Sequence, residues 1–167
     1  MSSILVRKSD DGARDSLTWR WRGGGETMAA ELGDPLGQTN YAICLYDRSV
    51  DVPSLAVIET APAGSLCGGD PCWRLSSRGV KYKDKEPATH GLFAITVSVI
   101  PEKRTSFKVK VMGDRLHLPP PANAFQLFRQ HSNVLVQLVN SDDHCWETTF
   151  PVPAQTNTVE KFKDRIP

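Results

Sequence analysis

Leu17-Thr18-Trp19-Arg20-Trp21-Arg22 alternates apolar and polar residues over six positions. Successive side chains of a strand point to opposite faces, so Leu17, Trp19 and Trp21 share one face and Thr18, Arg20 and Arg22 the other. This is the pattern of a strand with one buried and one wet face. Phe107-Lys108-Val109-Lys110-Val111 repeats it with lysines outward, and Phe93 to Val99 repeats it with small or hydroxyl residues outward. Val134 to Val139 and Tyr41 to Tyr46 are denser in apolar and β-branched residues, which reads as strands covered on both faces. Gly23-Gly24-Gly25, Gly33-Asp34-Pro35, Gly113-Asp114, Pro119-Pro120-Pro121 and Asn140-Ser141-Asp142-Asp143 punctuate these runs as turns. Strands at this spacing predict an all-β fold, an antiparallel sandwich or barrel. Ala122 to His131 is the best helix candidate, one or two turns behind its prolines.

The alternating runs fall into two similar units. Asp15 to Gly23 lines up with Thr105 to Gly113 at an offset of 90 residues, and Asn40 to Asp47 with Asn133 to Asn140 at an offset of 93. Each unit is a strand, a Gly turn, a Pro-containing loop and a more buried strand ending at Asp or Asn. Residues 14–47 and 104–140 therefore read as repeat units within a single β-domain spanning residues 1–167, which gives the domain two related halves.

The 167 residues are 40% apolar and 23% charged, enough for one core of ordinary size. The longest apolar stretch, Leu92 to Ile100, is interrupted by Thr96 and Ser98 and falls far short of the ~20 residues of a spanning helix. A soluble chain with no membrane span is the expectation. Met1 to Lys8 meets charge too early for the apolar region of a secretory leader, so a location outside the cell requires a leader already removed.

The cysteines number four. Cys67-Gly68-Gly69-Asp70-Pro71-Cys72 has turn chemistry between its thiols, which brings them within disulfide reach. The favoured pairing is Cys67–Cys72 with Cys44–Cys145, although two other connectivities remain open, as does burial of all four as free thiols. Cys67, Cys72, Cys145 and His144 are ligand types that zinc accepts, but their spacing is not a usual zinc pattern, and no metal or cofactor is expected.

Cys72-Trp73, Gly79-Val80-Lys81-Tyr82-Lys83-Asp84-Lys85, Gly91, Leu116-His117-Leu118-Pro119, Val136 to Asn140, Cys145-Trp146-Glu147-Thr148-Thr149-Phe150 and Phe162-Lys163 form a series over residues 41–165. In these motifs the chain resembles an uncharacterised β-rich domain of predicted secreted and surface proteins of bacteria, in which a Gly-x-Lys-Tyr-Lys-Asp core and a closing Cys-Trp-x-x-x-Phe segment recur. The resemblance implies secretion, disulfides and an all-β fold, and carries no catalytic residues.

The residues themselves give little for catalysis. His90, His117, His131 and His144 are scattered, and no Gly-x-Ser-x-Gly frame is present. Asp10-Asp11 and Asp142-Asp143 sit in turn-like contexts, where solvated acids are more usual than calcium ligands or glycosidase carboxylates. Charge is uneven, however: residues 74–115 carry ten basic and four acidic residues, and the rest of the chain ten basic and fifteen acidic. Lys81, Lys83, Lys108, Lys110 and, through the repeat alignment, Arg20 should share exposed sheet faces. They are candidates for binding a polyanion, although lysines also guard sheet surfaces against aggregation.

Trp19, Trp21 and Tyr82 alternate inward, which argues against nucleic acid as the partner. The expectation is a non-enzymatic extracellular β-domain, a structural or binding module of a bacterial cell surface. Ser2 to Lys8 reads as a short strand which, if detached, would complete the sheet of a second copy and build a filament or sheath. Binding of carbohydrate, above all anionic polysaccharide, through the basic face is the alternative, and a carbohydrate-active enzyme the remote one.

Overall fold

Fourteen strands and one short 3-10 helix (Ala29–Leu32) make up the regular structure of the computed structural model, which describes residues 1–22, 27–49, 52–85, 92–99, 105–113, 116–131 and 133–167. Gly23-Gly24-Gly25, His90 and Gly91 lie outside the described residues. The strands are β1 (Ser2–Arg7), β2 (Ser16–Arg22), β3 (Tyr41–Ser49), β4 (Val52–Ala61), β5 (Leu66–Cys67), β6 (Asp70–Pro71) and β7 (Trp73–Ser76). Then follow β8 (Gly79–Lys83), β9 (Leu92–Ser98), β10 (Ser106–Met112), β11 (Asn133–Asn140), β12 (Cys145–Pro151), β13 (Thr156–Thr158) and β14 (Lys161–Ile166).

All pairings are antiparallel. An eight-stranded sheet runs β13-β14-β1-β2-β10-β9-β8-β7, a four-stranded sheet runs β12-β11-β3-β4, and β5-β6 is a small hairpin. Neither large sheet closes on itself, so of the two expected architectures the fold is the sandwich and not the barrel.

The alternation of β2 is what places the core. Leu17 and Trp19 are fully buried while Arg20 is exposed, and Phe107, Val109 and Val111 of β10 follow the same parity. Aromatic rings join the two sheets: Trp146 of β12 lies 5.0 Å from Phe107, and Tyr41 of β3 lies 5.1 Å from Trp73 of β7. Trp19 and Trp73 each withdraw on the order of 200 Å² from water. The outward side chains of β3 and β11 are another matter. Ala42, Tyr46, Gln137 and Val139 are half-exposed, so these strands have a sheet against one face only, not both.

The two sheets share a twofold plan. Exchanging β1, β2, β3, β4, β7 and β8 for β9, β10, β11, β12, β13 and β14 in that order leaves both sheet orders unchanged. The register obeys the same exchange. Leu17↔Val111 and Trp21↔Phe107 lie symmetrically about Trp19↔Val109, and Ile43↔Leu138 and Leu45↔Val136 lie symmetrically about Cys44↔Gln137. Residues 14–47, read from the sequence as one repeat unit, cover β2 and most of β3, and residues 104–140, read as the other, cover β10 and β11, the four central strands of this plan. Each half also lends a hairpin to the other: β7-β8 pairs through β8 with β9, and β13-β14 pairs through β14 with β1.

Ser2–Arg7 forms the strand expected from the sequence, and it pairs within the chain with β14 on one side and β2 on the other, while Lys8 donates its N–H to Glu160. Donating the strand to a second copy would break both ladders. The helix expectation is corrected here. Residues 122–131 are not helical, because their N–H groups are claimed by side chains from elsewhere: those of Leu127 and Phe128 donate to Asn157 Oδ1, and those of Arg129 and Gln130 to the Asp47 carboxylate. The 3-10 turn at Ala29–Leu32, by contrast, has no strong sequence signature.

Candidate binding face

The ladder registers determine which side chains share the outward face of the eight-stranded sheet. Lys108 of β10 is opposite Arg20 of β2 on one side and Thr96 of β9 on the other, and Thr96 is opposite Lys81 of β8, itself opposite Arg74 of β7. In the other direction Arg20 is opposite Ser3 of β1, and Ser3 is opposite Arg165 of β14. One cross-strand row therefore reads Arg165, Ser3, Arg20, Lys108, Thr96, Lys81, Arg74. The next row reads Lys163, Leu5, Thr18, Lys110, Ala94, Lys83.

Seven strands at about 4.8 Å spacing make the first row about 29 Å long, and the second lies about 7 Å from it. Arg7, Arg22 and Lys161 share this face, bringing it to eleven cations among the described residues, where no outward strand position of this sheet carries an acid. Lys110 Nζ also lies 5.9 Å from the Phe93 ring, over its face.

Arg20, Lys81, Lys83, Lys108 and Lys110, the candidates from the sequence, are thus brought together on one face. Sequence reasoning missed Lys161, Lys163 and Arg165, because their place on the face depends on β14 pairing with β1 across the whole length of the chain. The alternation of Lys161-Phe162-Lys163-Asp164-Arg165 was the available signal, Phe162 and Asp164 being buried and the basic residues lying outward. Trp19 and Tyr82 are buried, as their inward alternation requires.

At the β7-β8 end of the face a cleft of about 640 Å³ opens between these strands and the β5-β6 hairpin. Cys67 and Cys72 are disulfide-bonded, with Cα atoms 5.1 Å apart, and close this hairpin. Cys72 accepts the Lys83 N–H at its carbonyl and donates its own N–H to Ser65, tying the hairpin to β8.

The second expected disulfide is absent, and Cys44 and Cys145 are free. The register explains it. Cys44 is opposite Gln137 and Cys145 opposite Val139 on the two sides of β11, so their Cα atoms are about 12 Å apart, beyond the ~7 Å limit of a bridge. Burial pushes the Cys44 thiol up, and burial followed by the nearby Glu147 charge does the same for Cys145, so neither is an activated nucleophile.

With Cys67 and Cys72 oxidised, the zinc-ligand set considered from the sequence is broken, and no metal-ligating cluster occurs among the described residues. The acidic pairs belong to turns. Asp11 accepts from Ser9 Oγ, which holds its carboxyl below the usual range, and Asp142 accepts from Thr39 Oγ1. No helix among the described residues is long and apolar enough to cross a membrane. No protein-family model, curated protein or solved structure matches the chain.

Proposed function

We propose that the protein is a non-enzymatic extracellular module of a bacterial cell surface that binds an anionic polysaccharide across the outward face of its eight-stranded sheet. The observation that carries this reading is the sign of that face: among the described residues, eleven cations stand on its outward strand positions without one acid. Lysines that guard a sheet against edge-to-edge pairing stand on its edge strands, yet Arg20, Lys108 and Lys110 lie on its two central strands. Like charges placed opposite one another, as Arg20 and Lys108 are, cost stability unless a ligand meets them.

A linear polyanion lying across the strands would meet charge along the first row from β14 to β7. The buried Trp19 and Tyr82 leave few rings for base stacking, which favours polysaccharide over single-stranded nucleic acid. The Cys67–Cys72 disulfide suits an oxidising compartment.

Titration with a sulfated polysaccharide and with a neutral one of equal length, at two salt concentrations, tests this. Binding of the sulfated chain alone, weakening steeply with salt, is expected; equal binding of both, or of neither, overturns the reading.

A further inference from the structure

The β5-β6 hairpin has no counterpart in the exchange that relates the two halves. The basic face therefore ends differently on its two sides. At the β14 end Lys163 and Arg165 stand on an open sheet surface, whereas at the β8 end the hairpin rises beside Lys81 and Lys83 and encloses a cleft.

The volume of this cleft, about 640 Å³, lies within the range of ligand sites. Arg74, Lys81, Lys83 and Lys85 line it against Asp70 and Asp84, leaving it net cationic. Leu66, Pro71 and the disulfide add apolar surface, and Leu66 is 67% exposed. Apolar surface, hydrogen-bonding carboxylates and surplus positive charge together match a sugar ring that carries a sulfate or carboxylate. Sugars present apolar C–H faces, hydroxyl groups and the anion at once.

We propose that the cleft under the disulfide-closed hairpin is a subsite for one anionic sugar unit of the polysaccharide. This inference rests on the polyanion reading of the face. Because the hairpin that walls it has no counterpart at the other end of the face, the subsite makes the two directions of the ligand chain unequal. The disulfide keeps the hairpin in place as one wall, so the subsite depends on the oxidised protein.

Calorimetric titration with a sulfated heparin disaccharide, with long heparin, with the unsulfated disaccharide and with inorganic sulfate tests the inference. The wild type should bind the sulfated disaccharide, and Lys83→Gln/Lys85→Gln should weaken it at least tenfold. Arg20→Gln/Lys108→Gln, in the middle of the face, should leave the disaccharide unchanged while weakening long heparin. Mild reduction of Cys67–Cys72 should also weaken the disaccharide, with circular dichroism confirming that the sheets persist; should they melt, the lysine variants decide.

The subsite is overturned if the disaccharide binds the wild type and the Lys83/Lys85 variant equally, or fails to bind while long heparin binds. Inorganic sulfate competing as well as the sulfated disaccharide, or the unsulfated one binding equally, would refute the anionic-sugar assignment. Failure of long heparin to bind the wild type would instead sink the reading of the whole face.

Discussion

Arg20→Gln combined with Lys108→Gln removes two directly opposed cations from the centre of the basic face. The long row that contains them offers five cations to a ligand: Arg165, Arg20, Lys108, Lys81 and Arg74. Each contact with a linear polyanion releases roughly 0.7 of a counterion, so five contacts give a slope of log affinity against log salt of about −3.5. Between 50 and 200 mM salt the wild type should lose about a hundredfold in affinity for long heparin. The double variant should show a slope of about −2.1 and bind roughly fifteenfold more weakly at 150 mM salt.

Stability should move the other way. Arg20 and Lys108 repel each other across the ladder, so neutralising both should raise the melting temperature by about 1–2 °C. The assays are titration calorimetry at four salt concentrations and a thermal melt. Arg129→Gln, whose exposed cation lies in the pinned 119–131 segment and not on this sheet, is the control. An unchanged slope in the double variant, or a loss of affinity matched by Arg129→Gln, refutes the reasoning.

Heparin fragments too short to cover the row of about 29 Å should bind more weakly than fragments that span it, with a plateau beyond that length in a chain-length series. Intact mass after alkylation under denaturing, non-reducing conditions should show two labelled thiols; in the native state Cys145 should be modified before the buried Cys44. Reducing Cys67–Cys72, which closes a six-residue loop, should cost about 2 kcal/mol in urea denaturation. Burial pushes the Tyr41 hydroxyl, which donates to the Leu32 carbonyl, up to about 12. Its folded pKa lies above its unfolded one, so this contribution is complete below pH 10 and is lost as pH rises towards 12, on the order of 2–3 kcal/mol. Tyr41→Phe should therefore be less stable at pH 7 yet decline less steeply over that window, as denaturation at a series of pH values will measure.

The strands legible in the sequence were those whose two faces differ in polarity. β2, β9 and β10 meet water on one side and Trp146 or its neighbours on the other, so alternation alone reveals them. β4 escaped notice because a bulge between its partners Leu45 and Tyr46 breaks its parity and leaves Val52, Leu55 and Ile58 exposed. The density of β3 and β11 misled in the opposite sense: Cys44 and Leu135 are apolar and buried on the outward face without a sheet above them.

The basic face was half legible. Alternation placed Lys81, Lys83, Lys108 and Lys110 outward, but joining them to Lys163 and Arg165 required the pairing of β1 with β14, a contact between chain ends that no local pattern encodes. The Cys67–Cys72 bridge was local and so was readable; excluding Cys44–Cys145 required the register across β11.

Ser2 and Ile166 are opposite one another across β1 and β14, where the exchange of halves would put the link between β8 and β9. The chain path is in effect a ring cut at one of two equivalent places. A short linker joining Ile166 to Ser2, with new ends opened between Lys85 and Leu92, would keep every sheet pairing and reverse the order of the halves. Such a circular permutant should fold with an unchanged circular dichroism spectrum. By the same geometry, any segments attached at the two ends of this domain leave it side by side, at the β14-β1 junction.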